Sequence, residues 1–187
     1  VSQLADVFLR LQEQGAHNIN LVTATQFLPS ILPALDKIRH KLSIPVVYNC
    51  GGYERPEIIS QLNDYIDIWL PDFKYFDNEL AFRYSKAKDY FKQASASITQ
   101  MIAQTGAPEY KYHPASRPGA PDFPLMTKGV IIRHMVLPGH KDDSIKLLHW
   151  IHDHFPQHQY LVSLLRPVHP LYQKSGLSPV KPPDHFL

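Results

Sequence analysis

Short apolar runs alternate with stretches of helical periodicity along most of this chain, and each run stops abruptly in polar or glycine residues. The five runs occupy residues 18–25, 45–52, 66–74, 129–140 and 160–165. Strands and helices that alternate with short connections form right-handed βαβ units around a parallel sheet. The carboxyl ends of such strands lie at one edge, where barrel enzymes build their active sites. The polar residues that end the runs are therefore the first candidates for function.

A doubly wound sheet and a partial barrel share this alternation. No Gly-x-Gly-x-x-Gly follows any apolar run and no phosphate-binding loop is present, which counts against a nucleotide-binding doubly wound sheet. The 187 residues are fewer than the roughly 250 of a complete eight-unit barrel. We therefore predict an α/β fold of the partial TIM-like barrel type, with about five βα units.

The same pattern predicts the helices and the irregular regions. We expect helices over residues 2–14, 29–41, 56–64, 78–105 and 142–155, the fourth with room for a break near Asp89. Residues 106–128 contain five of the 17 prolines and show little periodicity, which predicts a long loop. Residues 1–165 then form the barrel region, and residues 166–187 a Pro-rich, irregular tail.

The amino terminus passes at once into the first predicted helix. Its apolar stripe consists of Leu4, Val7, Phe8 and Leu11, and the chain starts with valine instead of methionine. A domain rarely begins with an amphipathic helix that has no strand to cover. We therefore expect that a preceding segment, including the first barrel strand, is missing from this sequence.

Composition excludes several classes of function. The net charge is +2 and the 19 lysines and arginines form no basic run, so we expect no nucleic-acid partner. No apolar run approaches the roughly 18 residues of a spanning helix, and no signal peptide is visible. The single cysteine, Cys50, excludes an internal disulfide and fits a reducing compartment. We expect a cytoplasmic protein that does not contact the membrane.

Two of the run ends combine groups that could bind a zwitterion. Asp72 and Lys74 lie two residues apart, so both side chains share one side of the chain if the strand geometry persists. They could hold an ammonium and a carboxylate, or form a salt bridge with each other. Asn49 precedes Cys50 and two glycines, which could let the backbone approach a ligand or could form a tight turn.

Other polar residues near the run ends have both a functional and a structural interpretation. Thr23 and Thr25 could donate hydroxyl hydrogen bonds to a ligand, or cap the helix that follows. Arg133 and His134 are neighbours in a strand and point to opposite faces. An inward Arg133 requires an anionic partner, either Asp72 or a ligand carboxylate, and the outward residue would pack at an interface.

The histidines of the last predicted helix and the cysteine give weaker indications of function than the residues at the run ends. His149, His152 and His154 have a spacing that could suit a metal hydrolase, although a solvated helix face explains it as well. Cys50 is typical of a small buried apolar residue.

Four segments together resemble one known family. They are residues 15–23 (GAHNINLVT), 46–54 (VVYNCGGYE), 67–75 (DIWLPDFKY) and 131–139 (IIRHMVLPG). In this order they closely resemble the uncharacterised radical S-adenosylmethionine proteins related to pyruvate formate-lyase activating enzyme, and the resemblance extends over about residues 2–165. It implies a partial (βα)6 barrel, here without its first strand.

The resemblance also implies a chemistry. Family members are oxidoreductases that bind S-adenosyl-L-methionine and a [4Fe–4S] cluster, which is held by a Cys-x3-Cys-x2-Cys loop after the first strand. Reduction of the cluster cleaves S-adenosylmethionine to a 5′-deoxyadenosyl radical that abstracts hydrogen, in activating enzymes from a glycyl-radical protein. An electron donor such as flavodoxin or ferredoxin would be a second partner.

The resemblance assigns cofactor-binding roles to residues of this chain. Lys74 of the Asp-x-Lys motif and Arg133 would contact the carboxylate of S-adenosylmethionine, and Asn49 stands where relatives often have aspartate. The resemblance also points to His169, after the last strand. The implied cofactor-binding set is Thr23, Thr25, Asn49, Asp72, Lys74 and Arg133.

The cluster motif is absent from this sequence. One cysteine cannot ligate a [4Fe–4S] cluster of this type, so the chain alone is predicted to be inactive, with no catalytic or metal-binding residue of its own. The cluster ligands would then lie upstream of Val1. Alternatively, the protein is a cluster-free remnant that binds S-adenosylmethionine or a peptide without catalysis.

Overall fold

An open six-stranded sheet organises the computed structural model, which describes residues 1–114 and 122–165. The strands are β1 (Ile19–Val22), β2 (Val46–Cys50), β3 (Ile68–Pro71), β4 (Glu109–His113), β5 (Phe123–Met135) and β6 (Leu161–Leu165). The helices are α1 (Ser2–Glu13), α2 (Leu28–Ile38), α3 (Pro56–Gln61), α4 (Asn78–Ser85), α5 (Tyr90–Thr105) and α6 (Lys141–His154). The predicted α/β alternation is confirmed.

Five of the strands run parallel. β1 pairs with β2, β2 with β3, and β3 with β5, whose carboxyl-terminal half also pairs with β6. The sheet does not close on itself within the described residues. Because parallel strands require crossover connections, the helices between them cover the sheet, and the carboxyl ends of β2, β3 and β5 meet at one edge.

Strand residues alternate between a helix-covered face and a second, more open face. In β5, Ile132 and His134 are buried whereas Arg133 is only partly buried. His134 lies 2.7 Å from the Phe73 carbonyl oxygen and 2.8 Å from Ser144 Oγ of α6. The prediction that Arg133 and His134 point to opposite faces is thus confirmed, with His134 as the residue packed at the helix interface.

The predicted break near Asp89 is also confirmed. α4 begins at an Asp77 cap whose side chain accepts from the backbone amides of Glu79 and Leu80. Lys86 and Asp89 then adopt left-handed backbone angles, with φ of 54° and 50°, which stop α4 and redirect the chain into α5. These two residues separate the predicted 78–105 helix into two helices.

The predicted long loop over residues 106–128 is wrong for the described part of that stretch. β4 pairs in antiparallel fashion with the first half of β5, and Tyr112 lies opposite Pro124. Tyr110 and Tyr112 supply the alternation and the aromatic β propensity of a strand, which the high proline count obscured. The predicted irregular tail over residues 166–187, with His169, lies outside the described residues.

No helix in the described parts of the chain has the length and apolar character needed to cross a bilayer.

We expect Gly129→Ala to destabilise the fold strongly, because Gly129 marks the point where β5 changes partners. Its φ of +134° disfavours a side chain, and a Cβ there would meet Met126 Cε and, at 3.0 Å, the Cα of Pro108. The expected loss is about 2–4 kcal/mol in the free energy of unfolding, measured by urea denaturation.

Gly139→Ala provides the matched control, since Gly139 also has a positive φ, +79°, but nothing within 4 Å of an added Cβ. It should cost only about 1–2 kcal/mol. Equal losses in both variants would contradict the steric argument at Gly129.

Candidate functional site

Polar side chains from three neighbouring parallel strands meet at the carboxyl edge of the sheet. Asn49 is the penultimate residue of β2, Asp72 follows β3, and Arg133 lies near the end of β5. The backbone fixes their positions, because the Asp72 amide donates to the Cys50 carbonyl at 2.9 Å and the Phe73 amide donates to the Arg133 carbonyl at 2.8 Å. The edge predicted from the sequence therefore holds a candidate site.

Arg133 is the centre of this site. Its Nη2 donates to Asn49 Oδ1 at 2.6 Å and lies 2.6 Å from Asp72 Oδ1, and both ion-pair side chains are about a quarter exposed (24%). Lys74 Nζ lies 3.6 Å from Asp72 Oδ2. We call Asn49, Asp72, Lys74 and Arg133 the Arg133 cluster. The structure thus brings together four of the six predicted site residues.

The Arg133 cluster has more positive than negative charge. One carboxylate, Asp72, faces the cations of both Lys74 and Arg133. The Nε of Arg133 is buried and has no hydrogen-bond partner among the described residues. A buried donor without a partner is costly, and a planar guanidinium binds carboxylates through paired N–H groups. The cluster therefore has one excess positive charge, which favours an anionic group beside it.

A pocket of about 200 Å³ lies at the cluster. Its lining combines charged and apolar side chains, namely Asp72, Lys74, Tyr75, Arg133, Met135, Leu137 and Leu165. Pockets for drug-sized ligands begin at about 300 Å³. The size and lining therefore suit a small charged group with an apolar chain attached.

The two threonines occupy different places. The Thr23 amide donates to the Asn49 carbonyl at 2.9 Å, so Thr23 adjoins the cluster through its backbone. The Thr25 hydroxyl lies 2.8 Å from the Tyr48 hydroxyl, and Tyr48 points to the face opposite Asn49. Thr25 thus lies on the helix side, outside the Arg133 cluster. Neither side chain caps the following helix.

The structural interpretations of several residues are realised. Gly52 adopts a positive φ of +78° in the turn after β2. Cys50 is a free, buried thiol whose pKa is raised by burial. His152 pairs with Asp153, and the described residues contain no group of three or more potential metal ligands. The histidines of α6 therefore form no hydrolase-type metal site there.

Glu54 was not predicted as a site residue from the sequence. Ser97 and Gln93 of α5 donate to its backbone carbonyl at 2.6 and 2.8 Å, and its Oε2 is buried without a partner in the described chain. Burial raises the pKa of Glu54, an effect that hydrogen bonds from the Cys50 thiol and the Gly52 amide oppose only in part. Its position in the polar run after β2 was the available signal.

Tyr90 was also missed. Its hydroxyl contacts the backbone carbonyls of Gly51, just after β2, and of Asp72, just after β3. Tyr90 lies far from those segments in sequence, at the start of α5, and no local motif marks it.

Comparison with known proteins gives a distant relationship. No family model matches the chain. It is 32% identical over 127 residues to an uncharacterized protein of Methanocaldococcus jannaschii, an alignment that covers 67% of this chain. The aligned part makes up only 30% of that protein's length.

We expect Asp72→Asn to lower the free energy of unfolding by about 1–3 kcal/mol in urea denaturation at neutral pH, because Arg133 loses its anion. The loss should stay below that of a fully buried pair, since both side chains are partly exposed. Glu109→Gln, which breaks the exposed pair with Lys128 (3.8 Å), should cost under about 1 kcal/mol. Equal losses of stability in Asp72→Asn and Glu109→Gln would contradict a greater contribution from the partly buried Asp72–Arg133 pair than from the exposed pair.

We expect a pH-dependent effect from Glu54→Gln. The pKa of Glu54 is raised in the folded state, so folding favours the protonated carboxyl. This stabilisation of the folded state is complete below the ordinary carboxyl pKa and is lost as pH rises through the raised pKa, because the buried group must then ionise. The variant should therefore gain stability relative to the parent between about pH 4 and about pH 7. Denaturation curves at both pH values test this.

Glu57→Gln makes the same substitution at an exposed position of α3 and is the control. A stability difference between Glu54→Gln and the parent that stays constant over this pH range would show that Glu54 is not perturbed.

Proposed function

We propose that this chain is the carboxyl-terminal portion of a radical S-adenosylmethionine protein resembling glycyl-radical-enzyme activating enzymes, and that the Arg133 cluster binds the methionyl zwitterion of S-adenosylmethionine. The observation that carries the proposal is the partly buried Arg133 guanidinium at the carboxyl edge of parallel strands, whose Nε has no hydrogen-bond partner among residues 1–114 and 122–165.

The charges of the cluster match the two ends of an amino acid. Lys74 and the Nε of Arg133 attract a carboxylate, and the oxygens of Asp72 and Asn49 accept hydrogen bonds from an ammonium. Asp72 alone cannot neutralise both cations, so a bound carboxylate also reduces the excess positive charge. The apolar side chains of Met135 and Leu137 provide surface for the methylene groups next to the sulfonium.

The fold supports the proposal at the level of architecture. Five parallel strands in the order β1, β2, β3, β5 and β6, with their polar ends at one edge, are what a partial (βα)6 barrel without its first strand requires. The barrel geometry itself is part of the proposal, as is the resemblance of the four sequence motifs.

The residues of this chain do not supply the ligands of an iron–sulfur cluster. Cys50 is the single cysteine and is buried, so these residues do not fit a [4Fe–4S] cluster, and the chain supplies only the binding of S-adenosylmethionine. In a whole protein that held such a cluster, bound S-adenosylmethionine would supply the radical chemistry. In the whole protein, we propose a glycyl-radical protein as hydrogen donor and a flavodoxin or ferredoxin as reductant.

A cluster-free binding module is the second candidate. It is favoured by one observation: β2, β5 and the segment after β3 alone bring the polar side chains of the Arg133 cluster together beside a pocket. Such a module would bind S-adenosylmethionine without cleaving it.

We expect this chain to bind S-adenosylmethionine in calorimetric titrations, and Lys74→Ala and Arg133→Ala each to weaken the affinity by about 10–100-fold, because each removes a charged hydrogen-bond donor. Lys74 is 41% exposed, so its substitution should not disturb the fold. The control is Lys146→Ala, which removes an exposed lysine from α6 and should leave the affinity unchanged.

The ligand 5′-methylthioadenosine separates the binding of the amino acid from that of the nucleoside, because it lacks the aminocarboxypropyl group. Its affinity should be the same in the parent, Lys74→Ala and Arg133→Ala. The proposal is wrong if the parent does not bind S-adenosylmethionine, or if both variants bind it as the parent does.

A further inference from the structure

Tyr90, the first residue of α5, joins the segment after β3, which carries Asp72 and Lys74, to the segment after β2, the strand that carries Asn49. Its hydroxyl donates to the Asp72 carbonyl at 2.9 Å, with the Gly51 carbonyl at 3.2 Å, and accepts from the Lys74 amide at 2.9 Å. Gly51 follows β2, whereas Asp72 and Lys74 follow β3. One phenol thus uses its donor and an acceptor to connect the ends of two neighbouring strands.

The ring of Tyr90 makes the same connection. It stacks on Tyr53, in the segment after β2, with centroids 5.7 Å apart, and meets Tyr75, in the segment after β3, edge-to-face at 5.3 Å. The side chain is buried, so its orientation is fixed by packing on both sides. Gly52 permits the close approach, because a Cβ there would overlap the Asp72 carbonyl oxygen.

The carbonyl of Asp72 that Tyr90 binds belongs to the same residue whose carboxylate pairs with Arg133 and Lys74. The Lys74 amide bonds to Tyr90 while the Lys74 side chain faces Asp72. Binding sites need their charged groups held within about 0.5 Å of the productive geometry. Removal of the hydroxyl takes a hydrogen-bond partner from partly buried carbonyl and amide groups, and movement of the segment would be needed to replace it.

We propose that Tyr90 is a positioning residue, which holds the segments after β2 and β3 together so that Asp72, Lys74 and Arg133 share one ligand-binding arrangement. For its ligand, this inference rests on the function proposed above. Tyr90 itself does not line the pocket at the cluster, so it acts through the backbone of Asp72 and Lys74.

The test compares Tyr90→Phe with Ser97→Ala in the full chain. Ser97 lies on the same helix, is fully buried, and donates to the Glu54 carbonyl at 2.6 Å, so its substitution also removes a buried hydroxyl that binds backbone. Both variants should lose stability. At a temperature where both are folded, Tyr90→Phe should weaken S-adenosylmethionine binding on the order of tenfold and Ser97→Ala by less than about twofold. Equal affinity loss in the two variants, or none in Tyr90→Phe, overturns the proposal.

A second readout needs no ligand. In nuclear magnetic resonance spectra of the free protein, Tyr90→Phe should shift the Arg133 Nε–H signal and accelerate exchange of the Lys74 amide, and Ser97→Ala should change neither. If the parent fails to bind S-adenosylmethionine, the function proposed above is wrong, and these signals still decide the role of Tyr90. An unshifted Arg133 signal in Tyr90→Phe then overturns the positioning role.

Discussion

Removal of a guanidinium from water requires an anion and hydrogen-bond acceptors at fixed positions, and this requirement governs the carboxyl edge of the sheet. The Arg133 side chain extends from β5, forms an ion pair with the Asp72 carboxylate just after β3, and donates a hydrogen bond to Asn49 of β2. Three strands are therefore held together at their ends by one side chain. The backbone hydrogen bond from the Phe73 amide to the Arg133 carbonyl keeps the ends of β3 and β5 side by side.

The parts of the structure that follow local periodicity were predictable. Alternation of apolar runs with helical stretches gave the parallel α/β order, because each element buries one face and its sequence repeats with the period of that element. The opposite directions of Arg133 and His134 follow from strand geometry alone. Asp72 was one of two predicted partners of Arg133, beside a ligand carboxylate, since it follows a neighbouring strand and carries the required charge.

The remaining features depend on contacts between residues distant in sequence. The β4 hairpin was hidden by prolines, although its pairing partner makes it a strand. Tyr90 and Glu54 acquire their positions only when α5 packs beside the turns after β2 and β3. Thr25 follows the apolar run as a site residue would, but the short helical turn after β1 carries it to the Tyr48 side.

The length of β5 ties the Arg133 side chain to a distant part of the sheet. The strand runs from Phe123 to Met135, and its first half pairs with β4 while its second half pairs with β3 and β6. A slip of one residue in strand pairing moves every side chain to the other face. In the first half, the pairing with β4 already shifts by one residue between Glu109 and Tyr110. One residue inserted between Gly129 and Arg133 would instead turn Arg133 toward α6 and put Ile132 in its place.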